Sequence, residues 1–479
     1  MQKIYKYTLI LAMAATLVFP SCGKEYFDEL SANPNQVNDP TLPALLATAT
    51  SKAGLRTFDA GSVINPYVQY TANPTAGAAS DIYETIDFTG TWDAMYFAMS
   101  DINEMKKLAT KNNSTEYLGV ANLLFAYHLI IVNNFWGAAP FSQAFNPSNF
   151  TPKYDTDQEI YAASMKLVDD AITELSKTTA TDKLVAASDL IHGGDRAKWL
   201  RTAYAIKARL LIKASKTPAF NAAAVLTALG NSYTSNTDDA GMATFTLRNS
   251  WAQVSRNNAA LSLGGWLSEQ FIDHLNGTTY GIFDPRLPKI TDVTVVPNNP
   301  AYPKYIGTVN GAGNRLNPPH NNTVKDENYI SFNSPWTNDT APIWIVTFAE
   351  LKFIEAEAAF ATDKPRAYQA YIDGIKANML KYGLTTTESE PYVTSVSVGA
   401  ANLTLALIFK EKYIATYLNP EAWNDARRHN YGYKDFGLPL NAVLPTFIRR
   451  LDYPIGERSK NGTNVPAGSL RTARLWWDL

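Results

Sequence analysis

Residues 349–358 read Ala349-Glu350-Leu351-Lys352-Phe353-Ile354-Glu355-Ala356-Glu357-Ala358, and this stretch decides the fold. It contains neither Gly nor Pro, and most of its residues are strong helix formers. The helical pattern extends from Pro342 to Ala361, and a second helix is predicted from Arg366 to Tyr382. Glu350 and Glu357 fall two turns apart on one face of the first helix. Glycoside hydrolysis needs two carboxylates flanking the scissile bond, so such a pair is the one enzymatic candidate. Ion pairing to Arg427 or Arg428 explains the same spacing, and carboxylates on a scaffold helix are usually paired or solvated. The chain is read as a binding protein and not an enzyme.

Outward from this pair, further helices repeat the pattern. Trp92, Met95, Tyr96 and Met99 share a face from Thr91 onward, and Gly119 to Asn133 continues with Val120, Leu123, Leu124, Tyr127 and Ile131. Trp136-Gly137-Ala138-Ala139-Pro140 ends that helix. Another pair spans Asp157 to Lys177 and Asp195 to Lys216, and a last one covers about Asn402 to Leu418 and Pro420 to Arg428. Paired helices joined by short turns suggest tetratricopeptide-type hairpins, which bury by stacking a face no pair could bury alone. Between about Thr217 and Ala341 the helical pattern largely fails. Prolines such as Pro285, Pro288, Pro303 and Pro335 punctuate a stretch rich in Asn, Gly and aromatics. Thr57 to Gly90 has the same character, with Tyr67, Tyr70, Tyr83 and Phe88. Loops on a rigid scaffold are where binding residues concentrate, so these two irregular stretches form the expected ligand face.

The chain has 479 residues, 46% of them hydrophobic and 18% charged, enough apolar surface for a large core. Its 42 basic and 44 acidic residues leave a formal charge of -2, with no basic footprint for nucleic acid. There is one cysteine, which excludes an intrachain disulfide framework and Cys-rich metal sites. Lys3 and Lys6 precede an apolar run from Thr8 to Phe19, too short for the roughly 20 residues of a spanning helix. The run reads as a secretory signal over residues 1–21. Cys22 follows directly after Ser21, as at a lipoprotein cleavage site, and is expected to carry the acyl chains that anchor the protein to a membrane. Removing residues 1–21 takes away two bases and no acid, for a mature charge of -4. Residues 22–40 then form a polar tether and 41–479 a single domain. Its scaffold is placed at about 41–216 and 342–430, the variable region at about 217–341, and a C-terminal segment at 431–479. No other segment is read as membrane-spanning.

Catalytic and metal motifs are largely missing. No Gly-x-Ser-x-Gly, His-Glu-x-x-His or phosphate loop occurs. His128, His192, His274, His320 and His429 show no pair at helical ligand spacing, so no zinc or other metal and no cofactor is expected. Asp155-Thr156-Asp157-Gln158-Glu159 begins like a calcium loop, but Ile160 stands where the sharp turn needs Gly, and the stretch reads as a helix N-terminus. Aromatics reach 12% and divide in two. Trp92, Trp136, Trp199, Trp344 and Trp423 belong with helices and with packing. Trp251, Trp266, Trp336, Tyr280, Tyr302, Tyr305 and Tyr329 belong to the irregular insertion, where rings could offer a platform to a sugar face. The expected ligand residues are Tyr83, Trp251, Tyr280, Tyr305 and Trp336 for stacking. Asp81, Glu84, Asn298, Asn299 and Arg315 are the expected hydrogen-bonding groups.

Ordered stretches along the chain resemble the SusD/RagB family of outer-membrane nutrient-binding lipoproteins. Thr91-Trp92-Asp93-Ala94-Met95-Tyr96, followed by Asp101-Ile102-Asn103, is similar to the family's early Trp-x-x-x-Tyr helix. Asn133-Asn134-Phe135-Trp136-Gly137-Ala138-Ala139-Pro140-Phe141 resembles its Gly-x-x-Pro turn, and Asp284-Pro285-Arg286 its Asp-Pro-Arg. Residues 349–358 resemble its most recognisable helix. Glu421-Ala422-Trp423-Asn424-Asp425-Ala426-Arg427-Arg428, Arg449-Arg450-Leu451-Asp452-Tyr453-Pro454 and Trp476-Trp477-Asp478 complete the set. The resemblance implies a mainly α, tetratricopeptide-like fold with a loop-rich insertion and no catalysis. It also implies a TonB-dependent outer-membrane transporter as partner, to which the lid-like lipoprotein hands oligosaccharide or, in some relatives, peptide. A surface-exposed, lipid-anchored (palmitate-bearing) position at the outer membrane follows from the same resemblance. An interaction scaffold without a ligand is the remaining alternative. The matching stretches are scaffold residues and carry over no ligand contact.

Overall fold

In the computed structural model the described residues are 40–259, 264–296, 299–315, 326–468 and 470–479. Cys22, the 1–21 leader, nearly all of the 22–40 tether, Asn298 and His320 lie outside them. Residues Leu42–Leu479 form one compact unit.

Chain order begins with α1 (Leu42–Ile64), a helix the sequence reading did not single out. Its buried face is built largely from small residues, Ala49, Thr50, Ala53, Gly54, Thr57, Ala60 and Gly61, so its apolar stripe is faint. The hairpin of α2 (Thr89–Lys111) and α3 (Thr115–Trp136) follows, then α4 (Asp157–Ser176) and α5 (Arg196–Lys213). Helix α3 is long and apolar enough to cross a membrane, which the sequence reading overlooked, yet it is almost entirely buried inside the protein. Its neighbours are α1, α2 and α4. Gly119 makes the approach to α4 possible, because a Cβ there would lie 2.5 Å from Leu175 Cγ. The acidic stretch at 155–159 is a helix start: Thr156 accepts a hydrogen bond from the Glu159 N–H, and the Glu159 side chain bonds back to the Thr156 N–H. Among the described residues no group of acidic, His or Cys side chains is arranged to hold a metal ion.

The insertion is more ordered than its composition suggests. It contains α6 (Ala222–Gly230), α7 (Ser250–Ala259), α8 (Glu269–Asn276) and the single turn α9 (Leu287–Ile290). These helices are short, and caps define them: the Asn221 side chain accepts the Ala224 N–H, and Gly277 at φ 97° closes α8 in the left-handed region. The scaffold then resumes with α10 (Phe348–Ala359) and α11 (Lys364–Lys381), packed as a hairpin. Three more helices follow, α12 (Thr386–Val396), α13 (Leu405–Ala415) and α14 (Glu421–Arg428), and α15 (Ile455–Lys460) lies in the C-terminal segment. Pro342 does not begin a helix. Residues Ile343–Val346 are β-branched or aromatic and form a strand, and Thr347 caps α10 through the Glu350 N–H.

Among the described residues the strands are short and pair two to a sheet. β1 (Thr71–Ala72) pairs antiparallel with β5 (Trp266–Leu267), β2 (Ala139–Pro140) with β3 (Tyr154–Asp155), and β4 (Ala240–Met242) with β6 (Ile343–Val346). The β1–β5 pair stitches the first irregular stretch to the second.

A candidate ligand cleft between the two irregular stretches

The motif carboxylates are structural. Glu350 receives both the Nε (2.8 Å) and an Nη (2.6 Å) of Arg209, and Glu357 takes a two-pronged bond from Arg428 at 2.6 and 2.9 Å. All four groups are buried, and burial alone would raise the Glu357 pKa. Arg428 outweighs that and holds it well below the usual range. Arg427 instead donates to the carbonyls of Asn134 and Arg449, both at 2.7 Å, and lies 3.8 Å over the Trp423 ring. The Asp284-Pro285-Arg286 turn is likewise internal, with Arg286 bonded to Asp284, Glu411 and Asn378. With every one of these carboxylates committed to a cation, no acid is free to act on a substrate there.

The open space lies elsewhere. Helix α1 ends at Ile64, and the chain bends through Asn65-Pro66 before entering β1. Beyond β1, the loop 73–81 folds onto the 309–314 segment. The Gly77 N–H donates to the Gly311 carbonyl at 3.0 Å and the Asn314 N–H to the Pro74 carbonyl at 2.9 Å. Gly311 sits at φ 83°, and a Cβ there would stand 2.0 Å from the Leu440 carbonyl oxygen, so only glycine fits. Asp81 closes the bracket by accepting the Asn73 N–H at 2.8 Å and the Gly311 N–H at 3.2 Å. Burial pushes the Asp81 carboxyl up to about 6, against the pull of those hydrogen bonds.

Against this bracket, the end of α1, the start of α2, and Trp251, Val254, Gly264 and Gly265 lie two adjoining open pockets, the two lobes of a cleft. The wider lobe, about 490 Å³, has Arg56, Asp59, Val63, Tyr67, Ile86 and Phe88 in its walls. The narrower lobe, about 200 Å³, has Asn65, Asn73, Asp81, Trp251 and Val254. Ser62, Pro66 and Ser80 line both lobes, and this shared border is the waist that a ligand spanning the two would cross. Arg56 and Asp59 are one turn apart on α1 and pair at 3.1 Å. Burial raises the Asp59 pKa, partly offset by Arg56. Asn65 is 2% exposed, and its Oδ1 has no hydrogen-bond partner.

Of the expected ligand residues, the cleft gathers Asp81 and Trp251. Asp81 is fully buried and acts as the bracket, while Trp251 is 5% exposed and packs edge-on to Phe58 at 4.5 Å. Two expectations are corrected by burial. Tyr83 has no exposed surface and packs against Tyr67 at 5.8 Å, and Trp336 stacks on Tyr382 at 4.8 Å while its indole N–H bonds to the Tyr417 carbonyl. Arg315 is taken up by ion pairs with Glu327 and Glu269. Tyr280 leans edge-on against His274 at 5.1 Å, and Tyr305 lies 5.8 Å from the exposed Phe283, both apart from the cleft walls. Glu84 and Asn299 are exposed and line neither lobe. The groups the sequence reading missed are Arg56, Asp59, Ser62 and Asn65. All sit on α1 or just past its end, and the Asn65-Pro66 helix stop was the one available cue.

A family model described as "Starch-binding associating with outer membrane", of the SusD-like type, matches residues 34–454. No curated protein matches the chain in sequence. Among solved structures, a SusD/RagB family protein from Bacteroides thetaiotaomicron is 21% identical with a TM-score of 0.74, over 92% of this chain and 99% of its own. A chitin-binding SusD homologue from Flavobacterium johnsoniae is 20% identical with a TM-score of 0.72, over 89% of this chain and 98% of its own. A SusD homologue from Bacteroides uniformis is 19% identical with a TM-score of 0.75, over 92% and 100%. With a family match across most of its length, the chain belongs to the SusD/RagB family.

Proposed function

We propose that this protein captures an oligosaccharide in the two-lobed cleft and passes it to a TonB-dependent outer-membrane transporter. In this reading it is held at the cell surface by lipid on Cys22 and catalyses nothing. The observation that carries the reading is the meeting of the two irregular stretches at one open cleft on a rigid helical frame. Its walls mix ring and aliphatic surface with Asn, Ser, Arg and Asp side chains, the combination that suits an apolar sugar face rimmed by hydroxyls. The family description names starch, and one solved relative is named as chitin-binding, so glucan and chitin fragments are the first ligands to try. Capture and hand-over require binding without turnover, which fits motif carboxylates already held by arginines.

Isothermal titration with malto-oligosaccharides, chito-oligosaccharides and a set of unrelated peptides tests this. Saturable heat with one glycan series, little changed between low and high salt, is expected, because a neutral ligand forms no screened ion pair. Peptide binding with no response to any glycan would overturn the sugar assignment and leave peptide capture in its place. Lipid on Cys22 is checked separately by intact mass of the mature protein. A mass without acyl chains would contradict the anchor.

A further inference from the structure

Resting on the reading of the cleft as a glycan site, we propose that the wider lobe is a second subsite that selects uncharged chains long enough to pass the waist. Arg56, Asp59 and Phe88 would be its specificity residues. The motivation is the shape: one lobe of about 490 Å³ and one of about 200 Å³ share only Ser62, Pro66 and Ser80. Ligand pockets for a whole small molecule run about 300–1,000 Å³, so the wider lobe alone has room for a ligand segment independent of the narrower one. A ligand confined to the narrower lobe would leave the larger space to water.

The chemistry of the wider lobe indicates what enters it. Arg56 and Asp59 form a half-exposed pair at 3.1 Å, with side chains 22% and 31% exposed. Such a pair presents guanidinium donors and carboxylate acceptors side by side, which matches a vicinal diol, each hydroxyl both giving and receiving. Phe88, half-buried in the same lobe, supplies an apolar ring surface. Charge disfavours an acidic ligand. Among the described wall residues the charged ones are Arg56, Asp59 and the buried Asp81. A uronate or sulfate would have to compete with Asp59 for the one cation, in a cleft of net negative charge.

Calorimetry on the full mature protein tests this with malto- and chito-oligosaccharides of two to six units, alongside oligogalacturonate of equal length. In whichever neutral series binds, affinity is expected to climb with length, and oligogalacturonate to bind at least tenfold more weakly. The double substitution Arg56→Gln with Asp59→Asn should cut the ratio of hexamer to dimer affinity about tenfold, the loss of one or two good hydrogen bonds. Phe88→Ala should lower the same ratio, with circular dichroism confirming the fold of each variant. Three results would overturn the subsite: equal affinity for dimer and hexamer, an unchanged ratio in both variants, or oligogalacturonate binding as tightly as the neutral chains. Silence of every glycan on the wild type would instead bring down the underlying reading along with it.

Discussion

The charged groups of the C-terminal scaffold and those of the cleft obey opposite rules. Around α10 and α14 every acid has its base: Glu350 with Arg209, Glu357 with Arg428, Asp425 with Lys412 and Arg428, all nearly without exposure. In the cleft, Arg56 and Asp59 stay partly exposed, and the Asn65 Oδ1 has no hydrogen-bond partner among the described residues. A buried charge must be matched to persist, so the first set specifies the fold. Groups left partly unsatisfied beside open space are available to a ligand. The residues most recognisable in this family's sequence are therefore the ones least able to bind anything.

The comparison can be broken at its strongest point. Arg428→Ala would strip Glu357 and Asp425 of their shared partner inside the core, and the loss expected is about 3–5 kcal/mol in a denaturant titration. A change below about 1 kcal/mol would mean that these charges are hydrated and not structural. The next largest effect belongs to the cleft bracket. Gly311→Ala forces a side chain into left-handed backbone at φ 83° and against the Leu440 carbonyl, at a cost of about 1–3 kcal/mol, with weaker glycan binding because the 73–81 loop loses its seat. Full stability with unaltered binding would show that the bracket does not shape the cleft.

Acid sharpens the contrast. Burial lowers His128, His192, His274 and His429 to about 4 in the folded protein. The unfolded chain takes up those protons near pH 6.5, so stability present above that pH is lost as it falls toward 4. Asp81 acts in the other direction: raised to about 6, it contributes stability below the ordinary carboxylate pKa that disappears as pH rises through 6. With four histidines held neutral by burial, Tm is expected to be lower at pH 5.5 than at pH 7, and a higher Tm on acidification would mean that the raised carboxyls, Asp81 among them, outweigh them. The smallest effect is expected at Glu84, exposed and outside both lobes, where Ala should change stability by no more than about 0.5 kcal/mol and leave binding untouched.

Much of the frame was legible from residues alone. The α2–α3 and α10–α11 hairpins declare themselves through apolar periodicity and clear Gly or Pro stops, and the capping box at Thr156 and Glu159 could be told from a calcium loop by Ile160. Helix α1 was not legible, since Ala, Thr and Gly on its buried face make a poor stripe. The cleft suffered most from that omission, because Arg56, Asp59 and Ser62 of its walls sit on that helix. Tyr83 and Trp336 misled for a related reason: a ring within a Pro- and Asn-rich stretch reads as a loop ring, while only tertiary packing decides whether it turns inward. The two irregular stretches meet in space, but the β1–β5 pairing that joins them is two residues long and invisible to periodicity.

The waist offers the most direct measurement. Ser62 is exposed on α1 and borders both lobes, so Ser62→Trp should fill the passage while leaving the helix intact. Titrating the hexamer of the glycan that binds the wild type into this variant should give at least tenfold weaker binding at an unchanged Tm. Wild-type affinity in a folded Ser62→Trp protein would contradict capture in this cleft and move the site to another face.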